Sequence, residues 1–306
     1  MKKILVATEK PFAAVAVEGI RREIEGAGYE LALLEKYGSR AELLAAVADA
    51  EGLIVRSDII DREVIDAAPE LKIIVRAGAG YDNIDLEAAR ERGIVVENTP
   101  GQNSNAVAEL AFGMMVMAVR NMYNGTSGSE LKGKRLGIQA FGQVGRNIAR
   151  IAKGFGMEVS AVDPYCPAAV MEEAGVKPCG SVAELYRDNN VVSINIPATP
   201  ETVKSIGYDL LVSMPKNALV VNTARKEVID EEGLARALAD RADLKYVADV
   251  KPGNADELNE RFAGRVFFTP KKMGAQTAEA NINAGIAAAR QTVAYLRDGI
   301  DRFRVN

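Results

Sequence analysis

The sequence predicts an α/β protein with two doubly wound parallel-sheet domains. Short apolar segments alternate with helical segments along almost the whole chain. A parallel sheet with helices on both faces produces this alternation. The chain has 306 residues, enough for two ordinary domains, and 48% of them are hydrophobic, enough for a large core.

The first hundred residues supply the first predicted sheet. Its strands are predicted at 3–8, 30–34, 52–56, 72–76 and 94–96, and its helices at 13–25, 40–48, 61–68 and 85–92. Thr99-Pro100-Gly101 then interrupts the pattern. A helix is predicted over 103–122, and the polar, glycine-rich residues 124–134 form a connection.

The remaining residues supply the second predicted sheet and a closing helix. Strands are predicted at 136–140, 158–162, 191–196, 218–222, 244–250 and 266–269. Helices are predicted directly after the first of these strands, near 208–213, at 230–239 and at 277–298. The last helix is long and alanine-rich on one side.

Residues 134–163 have the pattern of a dinucleotide-binding unit. A short apolar strand enters a glycine turn, and a helix with apolar residues at helical spacing follows. Gly142 lets the backbone approach a pyrophosphate, Gly145 lets the helix pack closely on the strand, and the helix N-terminus attracts phosphate. Asp163, about 20 residues past the turn, can accept from both ribose hydroxyls, and its charge disfavours a 2′-phosphate. NAD is therefore favoured over NADP.

The glycine pattern departs from the usual GxGxxG at its first position, where this chain has Ala140. We expect the change to be tolerated, because one methyl group fits a turn whose φ is negative. The alternative interpretation is that the turn is only a tight connection between a strand and a helix.

Composition limits the classes of function. The net charge is −4 with both signs interspersed, which argues against a nucleic-acid or membrane partner. The longest apolar run, 110–119, is too short to span a bilayer. Cys166 and Cys179 form no CxxC, which is typical of a reduced, cytoplasmic protein with ordinary thiols. The chain has no histidine, which excludes imidazole chemistry, and we predict no metal site.

Further candidate residues follow predicted strands, where ligands bind in such sheets. Gly78 and Gly80 free backbone N–H groups for a carboxylate, and Arg76 adds charge; a plain turn is the alternative. Arg225 follows a buried strand and can bind a carboxylate through two parallel hydrogen bonds. The alternative is that it is an exposed residue beside a helix. Asp249 ends an apolar strand. Lys271 and Lys272 precede the last helix and are candidate functional residues. The alternative is that both are solvated surface charges.

Together these segments resemble the D-isomer-specific 2-hydroxyacid dehydrogenase family over the whole chain. The segments in the family's order and spacing are VRSD, RAGAGYDNIDL, NTPGQNSNAVAEL, FGQVGR, NTARKEVIDEEGL and GAQTAEA. Within the family, the phosphoglycerate dehydrogenase branch is the most similar. The resemblance implies a Rossmann NAD-binding domain over 99–277, inserted into a flavodoxin-like substrate-binding domain over 1–98 and 278–306. Because the chain ends at Asn306, we expect a short form without the regulatory domain that longer relatives append.

The resemblance also implies an activity, which is NAD-dependent oxidation of D-3-phosphoglycerate to 3-phosphohydroxypyruvate in serine biosynthesis. Arg225 would orient the substrate, Asp249 would hold the nicotinamide carboxamide, and Gln143 and Val144 would offer N–H groups to the pyrophosphate. The full cofactor set is Ala79, Ala140, Gly142, Gln143, Val144, Gly145, Asp163, Ile196, Thr223, Ala224, Arg225, Asp249, Gly274 and Ala275. The substrate set, with Arg56 and Arg76 facing the phosphate, is Arg56, Ser57, Arg76, Gly78, Gly80 and Asn103.

The chain departs from the family at its catalytic histidine and glutamate. Counting back from Gly274 places Lys272 at the histidine position, whereas counting forward from Pro270 places Lys271 there; the start of the last helix favours Lys272. The glutamate position holds Asn254, and the nearby acids 256 and 257 are out of register. Our hypothesis is that Lys272 takes the substrate hydroxyl proton, with its pKa lowered by burial and by neighbouring cations such as Arg225 or Lys271.

Two other functions remain open at this point. One is a glyoxylate, hydroxypyruvate or other D-2-hydroxyacid reductase of the same family. The other is a non-catalytic NAD-binding regulatory protein, which the missing histidine favours and the retained Arg225 opposes. The resemblance further implies a homodimer paired through helix 103–122. The apolar residues of this helix cover more than one of its faces. The alternative is that the helix is buried within one subunit.

Overall fold

The computed structural model describes residues 2–306. The chain forms two compact units. The first unit comprises Met1–Asn103 and Gln276–Asn306, and the second comprises Ser104–Ala275.

Strands and helices alternate through both units. The strands are β1 Lys3–Thr8, β2 Glu30–Glu35, β3 Ala50–Val55, β4 Ile73–Arg76, β5 Val95–Asn98, β6 Arg135–Gln139, β7 Glu158–Val162, β8 Lys177–Pro178, β9 Val191–Ile194, β10 Leu219–Asn222, β11 Lys245–Ala248 and β12 Val266–Phe268. The α-helices are α1 Ala14–Gly26, α2 Arg40–Val47, α3 Arg62–Asp66, α4 Leu86–Glu91, α5 Ser104–Val119, α6 Gln143–Gly154, α7 Ala168–Glu173, α8 Val182–Asp188, α9 Tyr208–Ser213, α10 Glu231–Asp240, α11 Ala255–Arg261 and α12 Ala278–Asp298.

The predicted fold class is confirmed. The first unit contains a five-stranded sheet in the order β2-β1-β3-β4-β5, and the second contains a seven-stranded sheet in the order β12-β11-β10-β9-β6-β7-β8. Neighbouring strands in both sheets pair in parallel. The strand order reverses beside β1 in the first sheet and beside β6 in the second. In open α/β sheets, the carboxyl ends of strands at such a switch point are where ligands bind.

The main differences from the predicted elements concern short or interrupted segments. The sequence patterns did not reveal α7, β8, α8 and α11, the longest of which has seven residues. The helix predicted over 103–122 ends at Val119, because Asn121, Met122 and Tyr123 adopt positive φ and form a short 3-10 turn. Short elements give too few repeats of an apolar period to stand out from loops.

Close backbone approach organises the core of the first unit. Helix α12 buries a stripe of small residues, including Ala284, Gly285 and Ala288. A Cβ added at Gly52 would lie 2.6 Å from Thr292 Cγ2, so the sheet and α12 meet at a distance that only glycine allows there. None of the helices within residues 2–306 has the length and apolar character needed to cross a membrane.

Candidate functional site

The glycine turn joins β6 to α6 at the switch point of the second sheet. Ala140 follows β6 with a φ of +75°, so the predicted negative φ at this residue was wrong. Its backbone N–H donates to Val162 O at 2.9 Å, which fixes the direction in which the chain leaves the sheet. A non-glycine residue in the left-handed region costs about 1–2 kcal/mol. The chain therefore carries local strain at the first position of the glycine pattern.

The other two turn positions differ in how much space they have. A Cβ added at Gly145 would overlap Ala140 O, so this glycine allows α6 to pack against the end of β6. A Cβ added at Gly142 would have no heavy atom within 4 Å. The backbone N–H groups of Gln143, Val144 and Gly145 donate to no other described residue, while Arg146 N donates to Gly142 O at 2.9 Å. This helix N-terminus is thus open and can bind an anion.

Asp163 lies directly after β7 and braces this turn. Its Oδ2 accepts from Phe141 N and its Oδ1 from Tyr165 N, each at 2.8 Å. The carboxylate is half-buried, and each oxygen keeps a lone pair because an ionised carboxylate has about four acceptor sites. The two bonds hold Asp163 beside the open helix N-terminus.

A second loop of the second unit follows β10 and carries Arg225. Buried Asn222 shapes it: Oδ1 accepts from Ala224 N at 2.9 Å, and Nδ2 donates to Arg225 O at 3.0 Å and to the Tyr246 hydroxyl at 3.1 Å. Sequence reasoning missed Asn222 as a positioning residue. The signal was present, because Asn commonly bonds the backbone two residues on.

The side chains of this loop differ in exposure, and that of Arg225 is available for a ligand. Arg225 is exposed, and its guanidinium bonds only the carbonyl oxygen of Ala224, at 3.0 Å, within the described chain. Thr223 is 6% exposed, and its hydroxyl has no hydrogen-bond partner among residues 2–306. An unpartnered buried hydroxyl is costly unless a ligand or water completes its bonds. Ile196, also predicted to line the cofactor site, is half-buried just beyond β9.

Lys272 lies beside the Arg225 loop. Its Nζ donates to Ala224 O at 3.0 Å, although the residue as a whole remains exposed. Partial removal of its ammonium from water lowers the pKa of Lys272, and the Arg225 charge lowers it further; Asp249 and Glu227 act in the opposite direction. Exposed Lys271 makes no side-chain hydrogen bond in the part of the chain that the structure describes.

Asp249 anchors the loop that carries Lys272. The carboxylate is fully buried: Oδ1 accepts from the Thr269 hydroxyl at 2.9 Å and from Met273 N at 2.8 Å, and Oδ2 accepts from Gly274 N at 2.7 Å. A Cβ added at Gly274 would lie 2.9 Å from Oδ2. The predicted contact between Asp249 and a carboxamide does not fit this arrangement, since the side chain has no exposed surface. Ala275, next along the loop, is half-buried.

Asn254 lies at the family's glutamate position. The acids near it, Glu231, Asp256 and Glu257, are engaged with other partners. Glu231 approaches it, but Oε1 of Glu231 accepts from Gly253 N at 2.7 Å and Oε2 from Asn254 N at 3.2 Å. Asp256 pairs with Lys251 at 3.0 Å. Glu257 pairs with Arg261. The acids that influence Lys272 are Asp249 and Glu227.

In the first unit, two guanidinium groups share one neighbourhood at the ends of β3 and β4. Arg76 Nε donates to Arg56 O at 3.0 Å. The Arg56 guanidinium donates to Lys10 O at 2.8 Å, to Pro11 O at 3.1 Å and to Asn281 Oδ1 at 2.8 Å. Burial lowers the pKa of both arginines, and the charge of Arg56 lowers that of Arg76 further. Neither forms an ion pair with a carboxylate of the described residues, so their charge is available to an anion.

The turn after β4 supplies backbone donors. Gly78 has a φ of +153°, and a Cβ there would overlap the Arg76 guanidinium. The N–H groups of Ala79 and Gly80 donate to no other residue among those described, whereas Ala79 O accepts from Asn98 Nδ2 at 2.6 Å. The turn therefore offers free backbone donors, and its role in binding a carboxylate stays a prediction. Ser57 is exposed and Asn103 half-buried, with free side chains in the described structure.

A doubly wound sheet with an open helix N-terminus at its switch point defines a nucleotide-binding α/β protein. The profile of the D-isomer specific 2-hydroxyacid dehydrogenase family, catalytic domain, matches residues 8–306. The chain belongs to this family, and the predicted resemblance is confirmed.

Similar proteins include two curated relatives and one solved structure. D-3-phosphoglycerate dehydrogenase of Methanocaldococcus jannaschii is 38% identical over 285 residues, covering 88% of this chain and 54% of that protein. Hydroxypyruvate reductase of Thermotoga maritima is 34% identical over 278 residues, covering 84% and 88%. The structure of NAD⁺-bound 3-phosphoglycerate dehydrogenase of Entamoeba histolytica has a TM-score of 0.84 and 47% identity, covering 100% and 98%. The chain spans about half the length of the curated D-3-phosphoglycerate dehydrogenases it matches.

Proposed function

We propose that this protein oxidises D-3-phosphoglycerate to 3-phosphohydroxypyruvate with NAD⁺, as an entry step of serine biosynthesis. The observation that carries the proposal is the pair Arg56 and Arg76, two half-buried cations without a carboxylate partner among residues 2–306. They lie beside the donors of Ala79 and Gly80, so one end of the substrate would meet arginine and the other backbone N–H groups. The names of the relatives from Methanocaldococcus jannaschii and Entamoeba histolytica support the same substrate.

The second unit fits NAD on two counts. The free N–H groups of Gln143 and Val144 suit the pyrophosphate, and the braced carboxylate of Asp163 suits the ribose hydroxyls. When bound there, NAD⁺ would supply the hydride acceptor for the oxidation. We assign the cofactor to residues 99–277 and the substrate to residues 1–98 and 278–306.

The residues of this chain would handle the proton and the carboxylate. Neutral Lys272 would accept the hydroxyl proton of the substrate, and its lowered pKa increases the fraction of molecules in which it is neutral. The Ala224 carbonyl, 3.0 Å away, would then stabilise the ammonium that forms. Exposed Arg225 would orient the substrate carboxylate. Asp249 would keep the Lys272 loop in place.

A substrate panel tests the proposal. We expect the highest kcat/KM with 3-phosphoglycerate and NAD⁺, compared with D-glycerate, glyoxylate and hydroxypyruvate in the matching direction. R76Q is expected to lower kcat/KM for 3-phosphoglycerate at least about tenfold, since a charge-assisted hydrogen bond contributes about 1.5–3 kcal/mol. Its effect on D-glycerate, which lacks the phosphate, should be smaller. R297Q, an exposed arginine paired with Asp298, is the matched control.

The panel also separates the alternatives. Faster turnover of glyoxylate or hydroxypyruvate, with R76Q affecting all substrates equally, would instead assign a reductase activity like that of the Thermotoga maritima relative. NAD binding without turnover of any substrate, even at alkaline pH, would indicate a regulatory protein.

We further infer a cytoplasmic homodimer. Cys166 and Cys179 are unpaired, as expected in a reducing compartment. Half of the residues of α5 are buried within the second unit, whereas Gly113 is exposed and Met117 half-exposed, which leaves a surface for a second copy. Light scattering of the purified protein would give the mass in solution, and a monomeric mass would refute the dimer.

A further inference from the structure

Asn281, in the first turn of α12, hydrogen-bonds the Arg56 guanidinium. Its Oδ1 accepts from Arg56 Nη2 at 2.8 Å. Its Nδ2 donates to Thr277 O at 2.8 Å, and its backbone N–H donates to the same oxygen at 3.2 Å. Thr277 caps α12, because its hydroxyl accepts from Ala280 N at 3.1 Å. Both ends of the Asn281 amide are therefore engaged, and the start of the helix fixes its orientation.

The loop after β1 holds the other terminal nitrogen of the same guanidinium. Arg56 Nη1 donates to Lys10 O at 2.8 Å and to Pro11 O at 3.1 Å. The centre of the Phe12 ring lies 5.1 Å from the guanidinium carbon, within the range of a cation–π contact. Among residues 2–306, Asn281 is thus the one side chain that hydrogen-bonds this guanidinium, and backbone carbonyls take its other two bonds.

These contacts hold Arg56 without neutralising its charge. An arginine has five N–H donors, and within the described chain those of Arg56 make three hydrogen bonds. Asp58 is the acid whose charge acts on Arg56. Its carboxylate is engaged elsewhere, since it accepts from Glu9 N at 2.8 Å, from the Tyr37 hydroxyl at 2.8 Å and from the backbone N of Arg56 at 3.2 Å. A carboxylate at position 281, unlike the neutral amide, would pair with the guanidinium and compete with an anion.

We propose that Asn281 is a positioning residue that makes the Arg56 site specific for a phosphate group. The amide holds the guanidinium in one orientation and leaves its charge to the phosphate, next to Arg76, whose Nε donates to Arg56 O at 3.0 Å. The inference rests on the proposed function, because it concerns the phosphate of that substrate. Asn281 lies outside the predicted substrate set and acts through Arg56, so it affects substrate binding and not the hydride transfer.

Steady-state kinetics with two substrates tests this role. N281D keeps the shape of the side chain and an oxygen for Arg56 but adds a negative charge. We expect KM for 3-phosphoglycerate to rise at least about tenfold, the scale of a lost hydrogen bond to a charged group. The kcat, and KM for D-glycerate, should change less than about twofold, because only binding of the phosphate is altered. N281A, which removes the hydrogen bond without adding charge, should raise KM for 3-phosphoglycerate about fivefold and serves if N281D fails to fold.

The matched control is N283D, which adds the same charge at an exposed position of the same helix. Because an exposed charge is screened by salt, N283D should leave both KM values unchanged. An equal rise of KM for both substrates in N281D would indicate a merely structural role and overturn the proposal. The same rise of KM in N283D as in N281D would overturn it as well.

Binding of inorganic phosphate gives a readout that needs no turnover. In ¹⁵N NMR of the full chain, we expect phosphate to shift the Arg56 Nε–H signal saturably, with an affinity at least about tenfold weaker in N281D and unchanged in N283D. If this result holds while 3-phosphoglycerate is not oxidised, Asn281 keeps its role and the proposed substrate is wrong. If 3-phosphoglycerate is oxidised with the same KM in N281D, the substrate stands and the role of Asn281 is refuted. An Arg56 signal that does not respond to phosphate, or responds equally in N281D, would also refute it.

Discussion

Lys272 Nζ donates a 3.0 Å hydrogen bond to the carbonyl oxygen of Ala224, the residue directly before Arg225. This bond joins the loop after β12 to the loop after β10 and holds one cation close to another. A buried side chain supports each loop: Asn222 fixes the Ala224 turn, and Asp249 fixes the Lys272 segment. The arrangement keeps an amine with a lowered pKa in one position, as a general base requires.

The first prediction concerns the base itself. K272A should lower kcat about 10²–10⁴-fold, the usual contribution of a general acid–base group, with NAD affinity retained. Oxidation needs neutral Lys272, so its rate should rise with pH through the lowered pKa, with a midpoint below the ordinary 10.5, and fall as pH drops. K272R should also be inactive, because a guanidinium does not deprotonate. Stopped-flow rates and NAD titrations measure both effects.

The matched control is K271A, which changes the adjacent exposed lysine. It should keep both its rate and its pH profile. Loss of activity in K271A with K272A active would transfer the role of base to the neighbouring residue.

The second prediction concerns Asp249. D249N replaces one carboxylate oxygen by an NH₂ group, which faces at least one of the three donors from Thr269, Met273 and Gly274. A buried donor left without an acceptor costs about 1–3 kcal/mol, so we expect lower thermal stability together with lower kcat. Calorimetry and steady-state kinetics measure the two. If D249N instead weakened NAD binding at unchanged stability, the carboxylate would serve the cofactor and not the loop.

Apart from the local bonds of Asn222, the contacts that the sequence left hidden join distant parts of the chain. Asp249 meets partners at 269, 273 and 274, and Arg56 is held by Asn281, 225 residues away. Because the pattern around a residue reports its own strand or helix, it predicted where Asp249 and Arg56 lie but not which atoms they bond. The φ of Ala140 was missed for the same reason, since its N–H bonds Val162 on the next strand.

Features that depend on local geometry were predictable. The order of strands and helices follows from short apolar runs between helical patterns, and the fold class was confirmed on that basis. The register counted back from the start of α12 singled out Lys272, the one of the two lysines that approaches the Arg225 loop. Gly145 was recognisable because a helix that packs on the strand before it leaves no space for a Cβ.

The third prediction compares two glycines of one turn. A methyl group at Gly142 meets open space, so G142A should fold with a loss of about 1 kcal/mol or less, the scale of an N-cap change, but should weaken NAD binding. A methyl group at Gly145 overlaps Ala140 O, so G145A should lower stability by about 1–3 kcal/mol through overpacking. Denaturant unfolding and isothermal titration with NAD⁺ separate the two. Equal NAD affinity in G142A and the unmodified protein would remove the pyrophosphate from this turn.

The fourth prediction uses a buried acid in the first unit. Glu97 is 1% exposed; Oε1 accepts from Phe303 N at 2.9 Å, and Oε2 has no partner within residues 2–306. Burial raises its pKa above the ordinary 4.5, so the folded state binds more protons than the unfolded state, and stability falls as pH rises above that value. E97Q keeps an acceptor for Phe303 without the charge.

E97Q should therefore be more stable than the unmodified protein at neutral pH, and the difference should shrink as pH falls toward 4.5. E51Q is a control for which the opposite change in stability is expected. Burial raises the pKa of Glu51, but the ion pairs with Lys72 and Lys2 outweigh burial and lower it. E51Q should therefore destabilise the protein at neutral pH. Urea unfolding of both variants across this range measures the two slopes. A stability difference for E97Q that does not change with pH would mean that the pKa of Glu97 is the same in the folded and unfolded states, because then no proton is exchanged on unfolding in that window.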